Sequence, residues 1–280
     1  MDENDRHCEA LVYAVDKDRY LATLFAPADK RGPLFVLYAF NAEIGGVRER
    51  AREPMPGEIR LQWWRDVING ERMGEAAANP VAAAITGTIA RFSLPNARLL
   101  DLIEARAFDL YDDPMPTLEA LEGYVRHTSA TVFDLAAQIC DEHAGEASAR
   151  AGIAYGITAL LRSFALNASR RQLFVPVNAL DGHTTPEQIF AGQSSPGLIN
   201  ALATLRNRAR ENLAAFEAML PQLPVATMPA FLPVALVPGY LSAMDQPGYD
   251  PFRTAVEVPQ WRRQWALWWA ARRFSRLMRN

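Results

Sequence analysis

Apolar residues recur every three or four positions along almost the whole chain, and proline closes one such run after another. CEALVYAVDKDRYLATLFAP sets Leu11, Ala14 and Val15, then Leu21, Leu24 and Phe25, at mostly helical spacing before Pro27, so one helix is predicted there. A second begins near Pro33, whose missing N–H costs nothing in a first turn. It runs through Leu37, Phe40, Ile44 and Val47 to about Arg50. PMPGEIRLQWWRDVING starts a third and stops at Asn69-Gly70. Others are predicted over 80–91, 95–109, TLEALEGYVRHTSATVFDLAAQIC, EASARAGIAYGITALLRSFALNAS, SPGLINALATLRNRARENLAAFEAML, FLPVALVPGYLSAM and from about Gln260 onward. QLFVPVNAL has strand-like composition, but Pro176 and the polar DGHTTPE behind it favour an extended connector. Thr184 and Glu187 read as a capping box around Pro186. No period-two alternation lasts long enough to build a sheet, and neither a tandem repeat nor an interdomain linker stands out. The expectation is an all-α fold of about ten or more helices in one domain spanning residues 1–280.

Half of the 280 residues are apolar, enough for a substantial core. The formal net charge of −3 argues against a dedicated nucleic-acid binder. Cys8 and Cys140 fit neither a metal spacing nor a disulfide framework, which implies a reducing compartment and a cytoplasmic protein. The acidic start, MDENDRHCEALVYAVDKDRY, lacks the apolar core of a secretory signal, and no uncharged apolar run is read as a spanning segment. His7, His127, His143 and His183 are scattered without ligand spacing, so no metal is predicted. Asp109, Asp112 and Asp113 form the tightest carboxylate group, and a solvated turn is the favoured reading of it.

One stretch resists this plain reading. YAFNAEIGGVRER, residues 38–50, carries Gly45 and Gly46 side by side in what is predicted to be a helix, where each costs roughly 0.5–1 kcal/mol against alanine. Its Tyr38–Phe40 lead-in, with LIEARAFDL, GYVRHTSATVFDLAA, GITALLRSFALNASRRQLFVP and GYDPF, resembles the squalene/phytoene synthase family over about residues 21–252. The resemblance implies an isoprenoid synthase fold, a single helical bundle around a central cavity. It also implies an enzyme that condenses prenyl diphosphates with Mg²⁺ held by two aspartate-rich segments.

Those segments are degraded here. Gly45, Gly46 and Glu49 stand where the family carries its first carboxylates. Ser163, Leu166 and Asn167 stand at the second set, although Arg162 is kept, and Gly156 and Ala159 replace polar residues earlier in that helix. Mg²⁺ demands hard oxygen ligands in near-octahedral geometry, so one glutamate facing serine and asparagine cannot assemble two clusters. Arg48, Arg162, Arg170 and Arg171 are candidate contacts for a diphosphate or other anion; the alternative is a solvated helix rim. Tyr38, Phe40, Glu43, Asp66 and Tyr124 are candidate cavity-lining residues. YAFNAEI and EIRLQWWRDVI are further similar to a divergent branch of the family whose eukaryotic member is an assembly factor for respiratory complex I. Glu58, Arg60, Gln62, Trp64, Arg65 and Asp66 carry that likeness, and an ordinary amphipathic helix accounts for them equally well.

The expected function is therefore a non-catalytic member that helps assemble complex I or another membrane protein and keeps its cavity for a lipid or prenyl ligand. No cofactor is expected. The alternatives are a Mg²⁺-dependent prenyl-diphosphate transferase and an isoprenoid-binding module with no protein partner. QWRRQWALWWAARRFSRLMRN, residues 260–280, adds a surface question. On a helical wheel Leu267, Ala270, Ala271, Phe274, Leu277 and Met278 face one side, and Trp265, Trp268 and Trp269 with Arg272, Arg273, Arg276 and Arg279 face the other. That second side suits an anionic membrane, peripherally on the inner face of the cytoplasmic membrane. The competing expectation is that the indoles pack on a neighbouring helix.

Overall fold

A computed structural model describes residues 2–51 and 53–278. Its α-helices are α1 (Glu3–Val15), α2 (Lys17–Thr23), α3 (Ala28–Gly45), α4 (Val47–Arg50), α5 (Pro54–Ile68), α6 (Met73–Ala78), α7 (Pro80–Phe92), α8 (Asn96–Ala105) and α9 (Leu118–Val125). They continue with α10 (Thr131–Cys140), α11 (Gly145–Arg162), α12 (Phe164–Ser169), α13 (Pro186–Phe190), α14 (Pro196–Met219), α15 (Met228–Phe231), α16 (Val237–Met244) and α17 (Gln260–Leu277). Short 3₁₀ turns link several of them, and no strand occurs among the described residues. α11 runs through the centre, packed on α14, α10, α9 and α16, while α1, α3 and α7 form one wall and α17 closes the opposite side over α2 and α15.

Boundaries differ from the sequence expectation where a polar residue or glycine interrupts a helix. The first predicted helix is two, because Asp16 leaves helical geometry (φ −139°, ψ 76°) to cap α2 through the backbone N–H of Arg19. α3 starts behind Pro27, earlier than predicted, and carries Pro33 inside it. It also ends earlier. The chain turns at Gly46 (φ −89°, ψ 8°) before α4, so the glycine pair marks a helix junction rather than a helix interior. α11 and α12 meet at Ser163 with nearly the same backbone geometry, φ −92° and ψ 8°. The predicted helix over 95–109 gives way to a 3₁₀ turn at Arg106–Leu110. The long 117–140 helix holds a π-helical segment, Arg126–Ala130, between α9 and α10. The capping box falls one residue later than expected, on Thr185 and Gln188, while Thr184 bonds Ser195 Oγ at 2.7 Å. QLFVPVNAL is a connector, as predicted, pinned by Met115 N–H to the Leu173 carbonyl at 2.8 Å.

Contrary to the sequence reading, the stretch Val225–Met244 is long and apolar enough to cross a membrane by length and composition. Its prolines break it into 3₁₀ and α turns, and 61% of the window is buried, so it serves as core. Cys8 and Cys140 are free and buried, and burial pushes both thiols up to about 12. In α17 the predicted core side is largely upheld: Leu267, Ala270, Phe274 and Met278 are buried. The expectation that the indoles pack on a neighbour is not. Trp265 and Trp269 are more than half exposed, and Arg279 lies outside the described residues.

The bundle's ends are tied by one carboxylate. Asp18, 3% exposed, accepts from Arg162 Nη1 at 3.0 Å, Arg263 Nη1 at 2.8 Å and the Tyr240 hydroxyl at 2.6 Å. It thereby joins α2 to α11, α16 and α17. At the centre, α11 approaches the π segment closely at Gly152, where an added Cβ would fall 2.2 Å from Ala130 Cα. Gly152→Ala should therefore lower stability by about 3 kcal/mol or more, since backbone must move. Gly87→Ala, in α7 with open space around it, should raise stability by roughly 0.5–1 kcal/mol. Denaturant unfolding of the two variants checks the opposite signs.

Candidate functional site

Between α3, α9, the π segment and α11 lies a cavity of about 220 Å³. Its wall includes Asn41, Gly45 and Glu49 from one side and Gly156, Ala159, Ser163 and Asn167 from the other. The two degraded segments do face each other across it. Two features set its shape. Gly156 lets α11 press on the π segment, for a Cβ there would fall 2.8 Å from Ser129 Oγ. π segments re-aim side chains relative to a regular helix, and this one supplies Thr128 and Ser129 to the lining.

The charge of the lining is arginine-rich. Arg19, Arg48, Arg106 and Arg170 face Glu49 and Asp109. Arg106 lies above the glycine junction: a Cβ at Gly45 would sit 3.5 Å from both Cζ and Nη2 of Arg106. That is ordinary van der Waals contact, and an aspartate there would place its carboxylate against that guanidinium. Arg106 Nη1 donates to Asp109 Oδ2 at 3.2 Å and to the Tyr124 hydroxyl at 2.9 Å, and Nη2 to Asn41 Oδ1 at 3.4 Å. Tyr124 in turn donates to Asp109 Oδ1 at 2.7 Å. Burial pushes the Asp109 carboxyl above its ordinary range, against the pull of Arg106 and the Tyr124 hydroxyl. Burial works against the charged form of Arg106, but Tyr124 and Asp109 more than offset it and hold that guanidinium above its usual value.

At the mouth, Arg48 donates to the Leu110 carbonyl at 2.5 Å and pairs with Asp112 at 2.6 Å, and Arg170 pairs with Glu49 at 2.6 Å. Arg19 is buried, bonded to Asp16 at 2.8 Å, with its guanidinium 4.9 Å from the Tyr155 ring centre. Gln172 Nε2 donates to the Asp109 carbonyl at 2.8 Å.

Several sequence candidates lie elsewhere. Arg162 is outside this lining: it bonds Asp18, lies 3.6 Å above the Tyr240 ring and lines an adjoining cavity that shares Arg19, Tyr155, Ala159 and Ser163 with this one. Arg171 lies over Phe190 and is not in the lining. Phe40 is fully buried core against Trp64, and Tyr38 is buried beside Arg19. Glu43 is taken by Arg50, and Asp66 by Gln62 and Arg72. A Cβ at Gly46 would meet the Ala42 carbonyl at 3.1 Å, so that position does not face the cavity. Asp109, read as part of a solvated turn, is instead 7% exposed inside the site. Sequence reasoning missed Arg106, Arg19, Asn41 and Gln172. The i, i+3 spacing of Arg106 and Asp109 is visible in ARAFD, but nothing in it reveals burial.

The Mg²⁺ that such a fold implies does not fit this donor set. Glu49 and Asp109 are each engaged by a guanidinium, and no group of three or more His, Cys, Asp or Glu residues could hold a metal ion among the described residues. Mg²⁺ ordinarily takes one or two carboxylates together with phosphate and water oxygens.

A family profile described as squalene/phytoene synthase matches residues 12–269. The chain belongs to the squalene/phytoene synthase family. Within the family it is similar to the Bos taurus NADH dehydrogenase (ubiquinone) complex I, assembly factor 6, 28% identical over 232 residues covering 81% of this chain and 70% of that protein. The Synechococcus elongatus 15-cis-phytoene synthase is 23% identical over 280 residues, covering 94% and 91%. Among solved structures, a dehydrosqualene synthase in complex with ligand superposes with a TM-score of 0.85 at 16% identity, covering 98% of this chain and 97% of the other. That agreement shows the all-α isoprenoid synthase fold.

If Arg106 is what keeps Asp109 ionised, Arg106→Met should cost about 3 kcal/mol at pH 8, since a buried carboxylate is left without its cation. The folded-state pKa of Asp109, already raised, would then rise further above its unfolded value. The penalty is fully present above that folded pKa and fades as pH falls toward the unfolded one. Denaturant unfolding of variant and wild type at pH 8 and pH 5 should show the gap narrowing at pH 5.

Proposed function

We propose that this chain is a non-catalytic member of the family that acts in assembling respiratory complex I or a related membrane protein, in the cytoplasm. Its cavity keeps an anion-binding role without metal. The observation that carries the reading is Arg106 lying over Gly45. A fixed guanidinium occupies the wall where the family resemblance calls for carboxylates, and both lining carboxylates are spent on arginines. Ionising an allylic diphosphate requires neutralising charge on the leaving group. Arginines supply positive charge for binding, but the second carboxylate segment and its metal cluster have no counterpart in Ser163 and Asn167. The similarity to complex I assembly factor 6 supports the assembly role.

Purified protein given Mg²⁺ and farnesyl or geranylgeranyl diphosphate should form no C30 or C40 product by mass spectrometry of extracted lipid. Turnover above a metal-free control would make it a prenyl transferase instead. Calorimetric titration with a non-hydrolysable prenyl diphosphate should show binding with little Mg²⁺ dependence. Arg106→Gln should weaken it by about tenfold or more, and Arg162→Ala should leave it unchanged. Equal affinity in Arg106→Gln would remove the anion role. Deleting the gene in its source organism should lower complex I activity, restored by the wild-type chain; unchanged activity would refute the assembly role.

A further inference from the structure

α17 presents to solvent a face that the cavity does not explain. Opposite its buried residues stand Trp261, Trp265, Trp268 and Trp269, exposed by 64, 59, 36 and 54%. Tryptophan is ordinarily buried to a high degree, so four exposed indoles on one helix are an apolar surface without a partner. They form one assembled patch. Trp265 stacks on Trp268 with ring centres 5.4 Å apart, and Trp269 meets Trp265 at 6.2 Å and Trp268 at 5.6 Å. The Arg272 guanidinium lies 3.8 Å from the Trp268 ring centre, and that of Arg262 lies 5.2 Å from Trp261. No salt bridge joins Arg262, Arg272 or Arg276 to a carboxylate among the described residues, and residues 260–280 contain no acid although the chain is net −3.

We infer that this face is a docking surface for an anionic lipid bilayer, with α17 lying flat at the headgroup level. The indoles take the boundary between headgroups and acyl chains, and the arginines take lipid phosphates. Charge complementarity selects the occupant. Every charged residue of α17 is an arginine, with Arg273 paired to Glu217 of α14, and the helix is 18 residues long, about 27 Å, so its complement is an extended anionic surface. The surface is preformed, because Leu267 and Phe274 are buried and Arg263 is bonded to Asp18. Docking therefore orders little that is not already ordered. The inference stands apart from the cavity reading and holds for an enzyme or a non-enzyme alike.

Full-length protein should co-sediment at low salt with vesicles of phosphatidylcholine containing about one-third phosphatidylglycerol, remain free with phosphatidylcholine alone, and be released by high salt. Tryptophan emission should shift to the blue on binding, since four of the six tryptophans lie on this face. Trp265→Ser with Trp269→Ser should weaken binding roughly tenfold or more. Arg272→Glu with Arg276→Glu should weaken it roughly thirtyfold or more. Both variants should melt with the wild type, because these side chains are exposed. Wild-type protein left in the supernatant at low salt would overturn the inference, as would either folded variant binding like the wild type. A wild-type dimer that the tryptophan variant splits, with no vesicle binding, would give the face to a second copy of the chain.

Discussion

Setting a half-buried guanidinium into the wall of a cavity in a helical bundle dictates much of what surrounds it. Arg106 needs acceptors, and it takes them from three places: Asp109 in its own 3₁₀ turn, Tyr124 on α9 and Asn41 on α3. Each contact fixes an element. The turn after α8 cannot continue as a regular helix without moving Asp109, and α3 cannot carry a bulky residue at position 45 without displacing the guanidinium. Tyr124 bonds both partners, so the three side chains form a closed triad. Chemistry and packing are set here by the same few bonds.

The cavity therefore combines an inherited shape with an altered charge. Helix junctions at Gly46 and Ser163 have almost equal backbone angles and belong to segments that face one another. What lines the space between them has changed from a carboxylate-and-metal arrangement, implied by family resemblance, to fixed arginines held by carboxylates and carbonyls. In the reading proposed above such a wall attracts anions without metal, which separates binding from metal-assisted ionisation.

The fold was legible because helical periodicity and proline punctuation are local signals, and the glycine pair at 45–46 was visible in the same way. Its setting was not. Whether Gly46 sits inside a helix or ends one depends on α4 docking elsewhere, a tertiary matter. The same limit misplaced Arg162. LRS reads as a retained cavity arginine, but Asp18, far away in sequence, is buried beside it and takes its charge. Asp109 was misjudged for the converse reason, since acidic residues near a turn are usually solvated and only the fold brings Arg106, Tyr124 and Gln172 around it. In α17 periodicity named the exposed side correctly, but exposure of the indoles follows from no neighbouring helix covering them.

The tie at Asp18 bears on how the chain emerges from the ribosome. Synthesis proceeds at about 5–20 residues per second, and N-terminal regions ordinarily fold first. Here a carboxylate on α2 waits for Arg162, then Tyr240, and finally Arg263. Until Arg162 arrives, burying Asp18 would leave it without a cation, so α2 gains by keeping it hydrated. The native closure of α2 against α17 consequently comes only after α17 itself has left the ribosome. During that interval the apolar stretch Val225–Met244 lacks the helix that packs over it.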